Sequence, residues 1–395
     1  MKHRFSVAAH FAGGWDESRV RRWAEATRAR LEAPSVTLGL VFLSPDYFDD
    51  AEEVLEVLRV HARIPLLVGC SSPGLICNGE ELEEQPGIVL QLFHLPQAAV
   101  RAVRFNQEAL ENLDSESAWA SVTGIAREDV KGWLIFADPF HLDGESWLRT
   151  WNRSYPGVPA VGGLAGGTLD PQRSQVYLDG EVFEEGGVAL ALGGGVRLES
   201  MVSQGCTPIG APWTITKADR NFILTIANRP AYNVLLDTFN GLPQSEQARA
   251  QHNLFVGFAS NEYRDEFRHG DFLVRNLLGA DESRGILAVG ALPRAGQTIQ
   301  FHRRDAESAT ADLNGCLART RESLRDETVY GGILCVCAGR GHGLFGRPHH
   351  DAGLIQEQMG PLPVTGFFCN GELGPVGGQN FLHGYTASLA MLVKD

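Results

Sequence analysis

The chain repeats a glycine-bearing turn after apolar, strand-like segments. Its four copies are LLVGCSSPG (66–74), AVGGLAGG (160–167), LFVGFAS (254–260) and VTGFFCNGELGP (364–375). Repetition of this kind within one sequence indicates a duplicated supersecondary unit. Because duplicated units tend to bring their equivalent turns together, we expect these turns to line shared pockets.

Three of the four turns also share what precedes them. Each follows an apolar run, a polar loop and a helix-like stretch, and the apolar runs are VTLGLVFLSP (36–45), KGWLIFADP (131–139) and GGILCVCAGRG (331–341). These patterns predict strand–helix–strand units. We therefore expect an α+β fold in which mixed β-sheets are covered by helices, with a helical extension at the N-terminus. The mild composition shift over 226–252 predicts two domains, 1–227 and 228–395.

Charge and cysteine content restrict the partners and the compartment. The formal net charge is −14, which argues against bulk attraction to nucleic acid or to anionic membranes. The seven cysteines are odd in number and most lie in apolar segments, which indicates reduced thiols. The N-terminus lacks a basic segment followed by an apolar one, and no apolar run reaches the roughly 18 residues of a membrane span. We expect a cytoplasmic protein with no nucleic-acid and no membrane partner.

The second half of the chain carries the candidate binding residues. Its arginines stand at strand ends beside glycine-rich turns, a combination suited to a carboxylate because the guanidinium fork pairs two oxygens and glycine amides approach a ligand closely. Glu372 would hold an ammonium group, so Arg340 and Glu372 together suit a zwitterion such as an amino acid. The candidate ligand-binding residues are Arg275, Asn276, Arg304, Asp305, Gly339, Arg340, Gly341, Asn370, Glu372 and His383.

A purely structural interpretation of the same arginines stays open. They would then form internal ion pairs that order the turns and bind nothing. The pairs expected in that case are Arg275–Asp271, Arg304–Asp305 and Arg340–Glu372.

An enzyme is the alternative to a binding protein. Cys337 precedes the AGRG turn, where Arg340 would favour its thiolate and His383 would serve as a base. A cysteine in a strand is more often a small buried hydrophobic residue, so the sequence favours a protein without catalysis. A further alternative is a protein-interaction scaffold with no small ligand.

Cofactor and metal signatures are absent from the sequence. GGLAGG (162–167) is followed by TLDPQRSQ rather than by a helix, so it is not a dinucleotide or P-loop fingerprint. The run His349, His350 and Asp351 is interpreted as a solvated loop, because no second ligand cluster has the required spacing. We expect neither a cofactor nor a metal.

Segments along most of the chain resemble the FIST family, the F-box and intracellular signal transduction proteins. Those matching its N-terminal domain are VGCSSPG (68–74), FADPFHLDGES (136–146), VPAVGGLAGG (158–167), EGGVALAL (185–192) and SQGCTPIG (203–210). Those matching its C-terminal domain are NRPAYNVL (228–235), GDFLVRNLLG (270–279), GQTIQFHRRDA (296–306), CAGRGHGLFG (337–346), GFFCNGELGPVGG (366–378) and FLHGYTASLAML (381–392).

The resemblance implies a pair of sensory domains, FIST N-terminal over 1–227 and FIST C-terminal over 228–395. It also implies a small ligand, an amino acid or another small carboxylate, and a signalling protein partner whose identity stays open. Nothing in the sequence resembles an F-box, a kinase, a cyclase or a methyl-accepting segment. We therefore expect a stand-alone, bacterial-type FIST protein.

Overall fold

The computed structural model describes residues 4–111, 118–142, 144–169, 172–251, 253–264, 266–267 and 270–395. The chain forms a larger compact unit, Met1–Val202 with Cys316–Asp395, and a smaller one, Ser203–Gly315. Helices account for 27% and strands for 43%, in several mixed sheets and a small barrel, so the predicted two-domain α+β class is confirmed. The boundary predicted at 227/228 falls inside the smaller unit. The ranges 1–227 and 228–395 remain predictions for the two family domains.

In the described part of the chain, fifteen strands and five α-helices come before Gln204. They are β1 (Ser6–Ala12), α1 (Glu17–Arg30), β2 (Leu38–Leu43), α2 (Ala51–Ala62), β3 (Leu67–Ser71), β4 (Gly74–Cys77), β5 (Glu80–Glu83), β6 (Gly87–Phe93), β7 (Ala98–Phe105), α3 (Gln107–Glu111), α4 (Ala118–Thr123), β8 (Gly132–Ala137), α5 (Gly144–Ser154), β9 (Ala160–Leu164), β10 (Thr168–Leu169), β11 (Gln172–Arg173), β12 (Val176–Leu178), β13 (Glu181–Phe183), β14 (Gly187–Gly194) and β15 (Val196–Ser203). Two short 3₁₀ helices, Pro45–Asp50 and Arg127–Asp129, complete this part of the described chain.

The remaining elements follow in chain order. They are β16 (Cys206–Asp219), β17 (Phe222–Ile226), β18 (Arg229–Pro230), α6 (Ala231–Asn240), α7 (Gln244–Ala250), β19 (Leu254–Ala259), β20 (Phe272–Asp281), β21 (Ile286–Val289), β22 (Thr298–Arg304), α8 (Ala306–Ser323), β23 (Val329–Cys337), α9 (Gly341–Phe345), α10 (His350–Met359), β24 (Val364–Cys369), β25 (Glu372–Val376), β26 (Gln379–His383) and β27 (Ala387–Lys394).

The larger unit contains three copies of one structural repeat, and each copy builds most of one sheet. The strand orders are β1-β6-β2-β3-β12-β13, β7-β14-β8-β9-β25-β26 and β15-β27-β23-β24-β4-β5. In each sheet the first four strands come from one repeat, and the last two are a hairpin donated by another repeat. The exchange is cyclic, since the second repeat completes the first sheet, the third completes the second, and the first completes the third.

Each repeat contains one parallel pair of strands joined by a helical crossover. The three pairs are β2–β3, β8–β9 and β23–β24, while the other strand pairings recorded in these sheets are antiparallel. Strands β2, β3 and β8 are buried at every residue. Such strands read as continuous apolar runs because helices and other sheets cover both faces. The predicted strand–helix–strand units are therefore confirmed.

Glycine recurs in the second strand of each parallel pair for a steric reason. A β-carbon added to Gly69, Gly162 or Gly366 would lie 1.7–1.8 Å from a carbonyl oxygen of the neighbouring parallel strand. The oxygens belong to Val41, Ile135 and Leu334. Only glycine permits this close approach of two backbones.

The three sheets share one hydrophobic core. Phe42, Phe136 and Phe367 meet there, with ring centroids 4.8–5.8 Å apart. Each such aromatic pair contributes about 0.5–1.5 kcal/mol beyond its area burial. A second cluster buries Trp133 of β8 against Trp151 of α5. Among the described residues, no helix is long and apolar enough to cross a membrane.

The smaller unit is built around antiparallel strands. Their order is β16-β22-β19-β20-β21-β17-β18, and an additional pairing joins β16 to β17. This pairing closes the sheet into a small barrel, so that β16 has no open edge. Val256, Phe301 and Ile215 lie in its core, and Val234 of α6 packs against them.

Candidate functional site

The carboxyl ends of the three parallel strand pairs meet in the larger unit. Ser71 Oγ at the end of β3 donates to Gly166 O, 2.7 Å away, and Ser72 Oγ lies 2.6 Å from Phe368 O. Asn370 Nδ2, just after β24, donates to Ala165 O at 3.2 Å. The strand ends of all three repeats are thus joined directly. Ligands of α/β proteins commonly bind at the carboxyl ends of strands, so this region is the candidate site.

The predicted site residues divide between the two units. Those in the larger unit are Cys337, Gly339, Arg340, Gly341, Asn370, Glu372 and His383. Those in the smaller unit are Arg275, Asn276, Arg304 and Asp305.

Arg340 forms a buried ion pair with Asp351. Its Nε donates to Asp351 Oδ2 at 2.6 Å and its Nη2 to Oδ1 at 2.9 Å, and both side chains are at most 1% exposed. The guanidinium also lies over the ring of Phe345, 5.3 Å from its centroid. Burial raises the pKa of Asp351, but the charge and hydrogen bonds of Arg340, with a hydrogen bond from His350, outweigh it and lower that pKa to about 2. Arg340 therefore presents its bidentate fork to Asp351.

Asp351 was expected in a solvated loop, and that expectation is wrong. His350 and Asp351 are 3% and 0% exposed and begin helix α10. The buried carboxylate of Glu81, on the hairpin of the first repeat, accepts hydrogen bonds from the backbone N–H groups of Asp351 at 2.9 Å and Ala352 at 3.0 Å. Glu81 thus caps a helix of the third repeat. No local signal marks this role, because the capping residue and the helix are far apart in sequence.

Glu372 is a fully buried carboxyl group at the start of β25. Thr386 N–H donates to its Oε2 at 2.9 Å, and Cys369 Sγ lies 3.5 Å from its Oε1. Burial raises the pKa of Glu372 to about 8, against the opposing effects of Thr386, Cys369, the Arg340 charge and the Cys337 thiol. Glu372 is therefore largely protonated at neutral pH. In that state it donates a hydrogen bond, whereas the predicted ammonium contact needs an anion.

Cys337 and Cys369 occupy matching positions on adjacent strands. They are register partners in the parallel pair β23–β24, so their side chains lie on the same face of the sheet. Cys337 is partly exposed and Cys369 is buried. Both thiols contact the Glu372 carboxyl group. We call Cys337, Arg340, Asp351, Cys369 and Glu372 the strand-tip cluster.

His383 faces Glu372 across the antiparallel pair β25–β26. Its side chain is buried, and its Nε2 lies 3.0 Å from Gly374 O. Since a carbonyl oxygen only accepts, Nε2 carries a proton there. The acid–base group that contacts the Cys337 thiol is Glu372, a role that the sequence assigned to His383.

The predicted glycines and Asn370 lie at the rim of the cluster. Gly339 and Asn370 are exposed, whereas Gly341 is buried. Gly341 has a φ of +62°, and a β-carbon there would lie 2.6 Å from the Glu83 carboxylate, which accepts a hydrogen bond from His342 N–H. This position therefore requires glycine. The exposed rim leaves backbone and amide groups at the surface next to the buried charges.

Among the predicted residues of the smaller unit, Arg275 and Asn276 lie on β20, Arg304 ends β22 and Asp305 follows it directly. Strands β20 and β22 flank β19. Two strand spacings separate them by about 10 Å. Asp305 accepts two hydrogen bonds from Arg249, at 3.0 and 3.1 Å, and one from Ser308 N–H at 2.7 Å. Burial raises the pKa of Asp305, but these hydrogen bonds lower it overall. Asp305 thus caps the start of α8, and Arg249 holds its carboxylate at the strand end.

Arg275, Asn276 and Arg304 make hydrogen bonds to backbone groups of their own strand or of neighbouring segments. Arg275 Nη1 donates to Val274 O at 3.2 Å, and Asn276 O accepts from Gly290 N–H at 2.9 Å. Arg304 is 8% exposed, and its backbone N–H donates to Asn253 O. These contacts fix the barrel strands and give no indication of a ligand.

A groove in the larger unit was missed by sequence reasoning. It has a volume of about 620 Å³ and is lined by β1, α1, the β4–β5 turn and Gln356. Arg30 and Glu80 bring opposite charges to its walls, and His10 Nδ1 lies 3.7 Å from Glu80 Oε2. Arg30 lies on a helix whose arginines resemble a solvated face, so only the packing of α1 beside β1 could mark it. No group of three or more potential metal ligands occurs among the described residues.

Comparison with known proteins identifies two family domains in this chain. The FIST N domain matches residues 37–229, and the FIST C domain matches residues 231–375. Uncharacterized protein Rv0628c of Mycobacterium tuberculosis is 34% identical over 382 residues, which cover 95% of this chain and 97% of that protein.

Two further relatives extend the comparison. Uncharacterized protein Mb0898c of Mycobacterium bovis is 33% identical over 368 residues, 92% of each chain. F-box/LRR-repeat protein At5g63520 of Arabidopsis thaliana is 29% identical over 130 residues, which cover 29% of this chain and 25% of that protein. With both family domains matched in order and relatives that align over nearly the whole length, this chain belongs to the FIST family.

Proposed function

We propose that the protein is a sensory protein of signal transduction that binds a small carboxylate at the strand-tip cluster. FIST domains are associated with signal transduction and have been proposed to sense small ligands. The ligand class, the site and a signalling protein as output partner are our proposal. The seven cysteines form no disulfide and six of them are buried, which supports a reducing, cytoplasmic location.

Glu372 is the observation that carries the proposal. A carboxyl group that is 0% exposed and largely protonated at neutral pH is costly to keep and is common at functional sites. It lies in the turn that also holds exposed Asn370. A ligand carboxylate at this rim would accept hydrogen bonds from the Glu372 carboxylic acid and from the Asn370 amide.

The charges of the cluster favour a simple carboxylate over an amino acid. Arg340 and Asp351 neutralise one another, and protonated Glu372 carries no charge to hold an ammonium group. The groove beside β1 offers an amino acid a different environment, because Arg30 and Glu80 would meet its two opposite charges. Its volume lies in the range of small-molecule sites. An amino-acid ligand would therefore point to the groove.

Matched ligand pairs test the proposal. Thermal unfolding is measured with acetate against glycine, propionate against alanine, and succinate against aspartate. A ligand that binds the native state at about 100 times its Kd stabilises it by about 2.7 kcal/mol. We expect the simple acids to stabilise the wild type at about pH 6.5 and to lose this effect at about pH 9, where Glu372 is ionised. Glu372→Gln keeps a donor, so its binding should no longer depend on pH in this range.

Variants separate the two sites. Arg30→Gln and Glu80→Gln in the groove should leave stabilisation by simple acids unchanged. If amino acids alone stabilise the protein, and if the groove variants abolish that effect, the carboxylate site at the cluster is rejected. If no acid or amino acid of this panel stabilises the wild type, the small-carboxylate proposal fails and the scaffold alternative gains support.

The contact between Cys337 and Glu372 supports one alternative function, a thiol-dependent enzyme. A partly exposed thiol beside a carboxyl group whose pKa is raised by burial to about 8 has the ingredients of a thiol nucleophile. This alternative predicts rapid and selective alkylation of Cys337 and a turnover that Cys337→Ser abolishes. Selective alkylation without turnover would leave the binding function as the better account.

A further inference from the structure

We infer that Cys337 and Cys369 form a dithiol site that hydroperoxides convert reversibly to a disulfide. The two residues are register partners on the parallel strands β23 and β24. Neighbouring strands lie about 4.8 Å apart, which falls within the 4.4–6.8 Å range of Cα separations in disulfides. Their side chains share one face of the sheet, so no strand has to slide for the sulfurs to meet. Both cysteines belong to the strand-tip cluster, but the inference requires no bound ligand.

The contacts of the sulfur atoms support the same pairing. Cys369 Sγ lies 3.5 Å from Glu372 Oε1, and the Cys337 thiol hydrogen-bonds the same carboxyl group. Two thiols that contact one carboxyl group lie close to each other. Glu372, when ionised, can also take the proton that a thiol must lose before it attacks.

The two cysteines differ in access, and this difference assigns their order of reaction. Cys337 is partly exposed and precedes the exposed residues Ala338 and Gly339. Cys369 is buried at 0% exposure within the shared core, and burial raises its pKa well above the usual value. A peroxide therefore reaches Cys337 first, and Cys369 serves as the resolving thiol.

The chemistry balances with a hydroperoxide, ROOH, as the oxidant. The Cys337 thiolate attacks the terminal peroxide oxygen, the O–O bond breaks, and ROH leaves after it takes up a proton, which gives a sulfenic acid. Cys369 sulfur then attacks the Cys337 sulfur, the S–O bond breaks, and hydroxide leaves as water with the proton of the Cys369 thiol. Two thiols are oxidised to one disulfide by two electrons, and the peroxide is reduced to ROH and water.

Cys335 is the competing partner that the test has to exclude. It lies on the same strand and face as Cys337, two residues earlier, but its register partner is Phe367. It is fully buried. The register therefore favours Cys369 over Cys335 as the partner of Cys337.

Peroxide treatment of the full chain without ligand tests the inference. The protein is exposed to hydrogen peroxide, remaining thiols are alkylated, and peptides are mapped by mass spectrometry without reduction. We expect a Cys337–Cys369 cross-link that dithiothreitol removes, and alkylation of native Cys337 at least about tenfold faster than that of Cys369. Cys369→Ser should accumulate a dimedone-reactive sulfenic acid on Cys337, while Cys337→Ser should give no adduct on Cys369.

Cys206→Ser, a buried cysteine of the smaller unit, provides the matched control and should form the cross-link like the wild type. Circular dichroism of each variant establishes that it is folded. A cross-link from Cys337 to Cys335, or a fully reduced Cys337 in folded protein after peroxide treatment, would overturn the inference. Because no ligand is present, either result leaves the proposed sensory function untouched.

Discussion

The carbonyl oxygen of Val41 lies 1.7 Å from the place where a β-carbon on Gly69 would stand. The contact joins the two parallel strands of the first repeat, and it recurs in the other two repeats at Gly162 and Gly366. The repeated glycine, which is the most visible pattern in the sequence, therefore serves the packing of parallel strands. The same contact occurs in all three repeats, so it also identifies the strands β3, β9 and β24, which lead to the candidate site.

Gly69→Ala should destabilise the larger unit strongly. A methyl group cannot share space with a backbone oxygen, so the two strands must separate, and we expect a loss of about 3 kcal/mol or more in the free energy of unfolding. Urea denaturation measures the loss. Gly14→Ala is the control, because nothing lies within 4 Å of its added β-carbon and its effect should stay within about 0.5 kcal/mol. Equal midpoints for the two variants would contradict the steric argument.

Asp351→Asn should cost about 3–5 kcal/mol, because it leaves the buried charge of Arg340 without its partner. The control is Glu322→Gln, which removes an exposed pair with Arg325 whose side chains are 79% and 74% exposed. Exposed pairs of this kind contribute about 0–1 kcal/mol. Chemical denaturation measures the free energy of unfolding of both variants. A loss for Asp351→Asn below that of the control would show that Arg340 finds another partner.

The protonation of Glu372 makes stability depend on pH. Burial raises its pKa to about 8 in the folded state, against an ordinary value of 4.5, so the native state holds the proton more tightly than the unfolded chain. The stabilisation from this group is complete below pH 4.5, decreases as the pH rises toward 8, and is lost above it. We expect the stability of the wild type relative to Glu372→Gln to fall over this window. A difference between the two proteins that stays constant with pH would be inconsistent with a raised pKa.

Glu81→Ala should destabilise the protein although the residue lies outside every predicted site. The substitution removes the acceptor for buried N–H groups at the start of α10, and unsatisfied buried donors cost about 1–3 kcal/mol. Glu357→Ala, on an exposed position of the same helix, should have little effect. Thermal unfolding of both variants provides the measurement. A similar loss for the two would mean that water replaces the cap.

Local patterns in the sequence were sufficient for the repeated units and the fold class. Apolar runs such as LGLVFL, together with the glycine turns, predicted the strand–helix–strand units because strand burial and close backbone approach leave a direct mark on residue choice. The exchange of hairpins between repeats left no such mark, since the residues of β4 and β5, GLIC and EELE, do not indicate which sheet they join. Long-range pairing is decided by packing that a single sequence does not encode locally.

The candidate site shows the same division. Arg340 and Glu372 were found because they stand in glycine turns, but the partner of Arg340 could not be inferred. Asp351 stays ionised because Arg340 pairs with it, and Glu81 of the first repeat caps the helix that Asp351 begins. The charge state of Glu372 likewise depends on complete burial by neighbours that are distant in sequence. Residue types indicate which chemistry a site can perform, whereas partners and burial decide its protonation.

The cyclic exchange of hairpins sets the order in which the larger unit can be completed during synthesis. The second sheet requires β25 and β26, and the third requires β23, β24 and β27 alongside β4 and β5, which are made first. The β4–β5 hairpin must therefore wait for its partner strand β24, which is made much later. Until then its β4 edge is open to pairing with other chains. The smaller unit is made before β23, so it gives the nascent chain a folded module before the strands of the third sheet are complete.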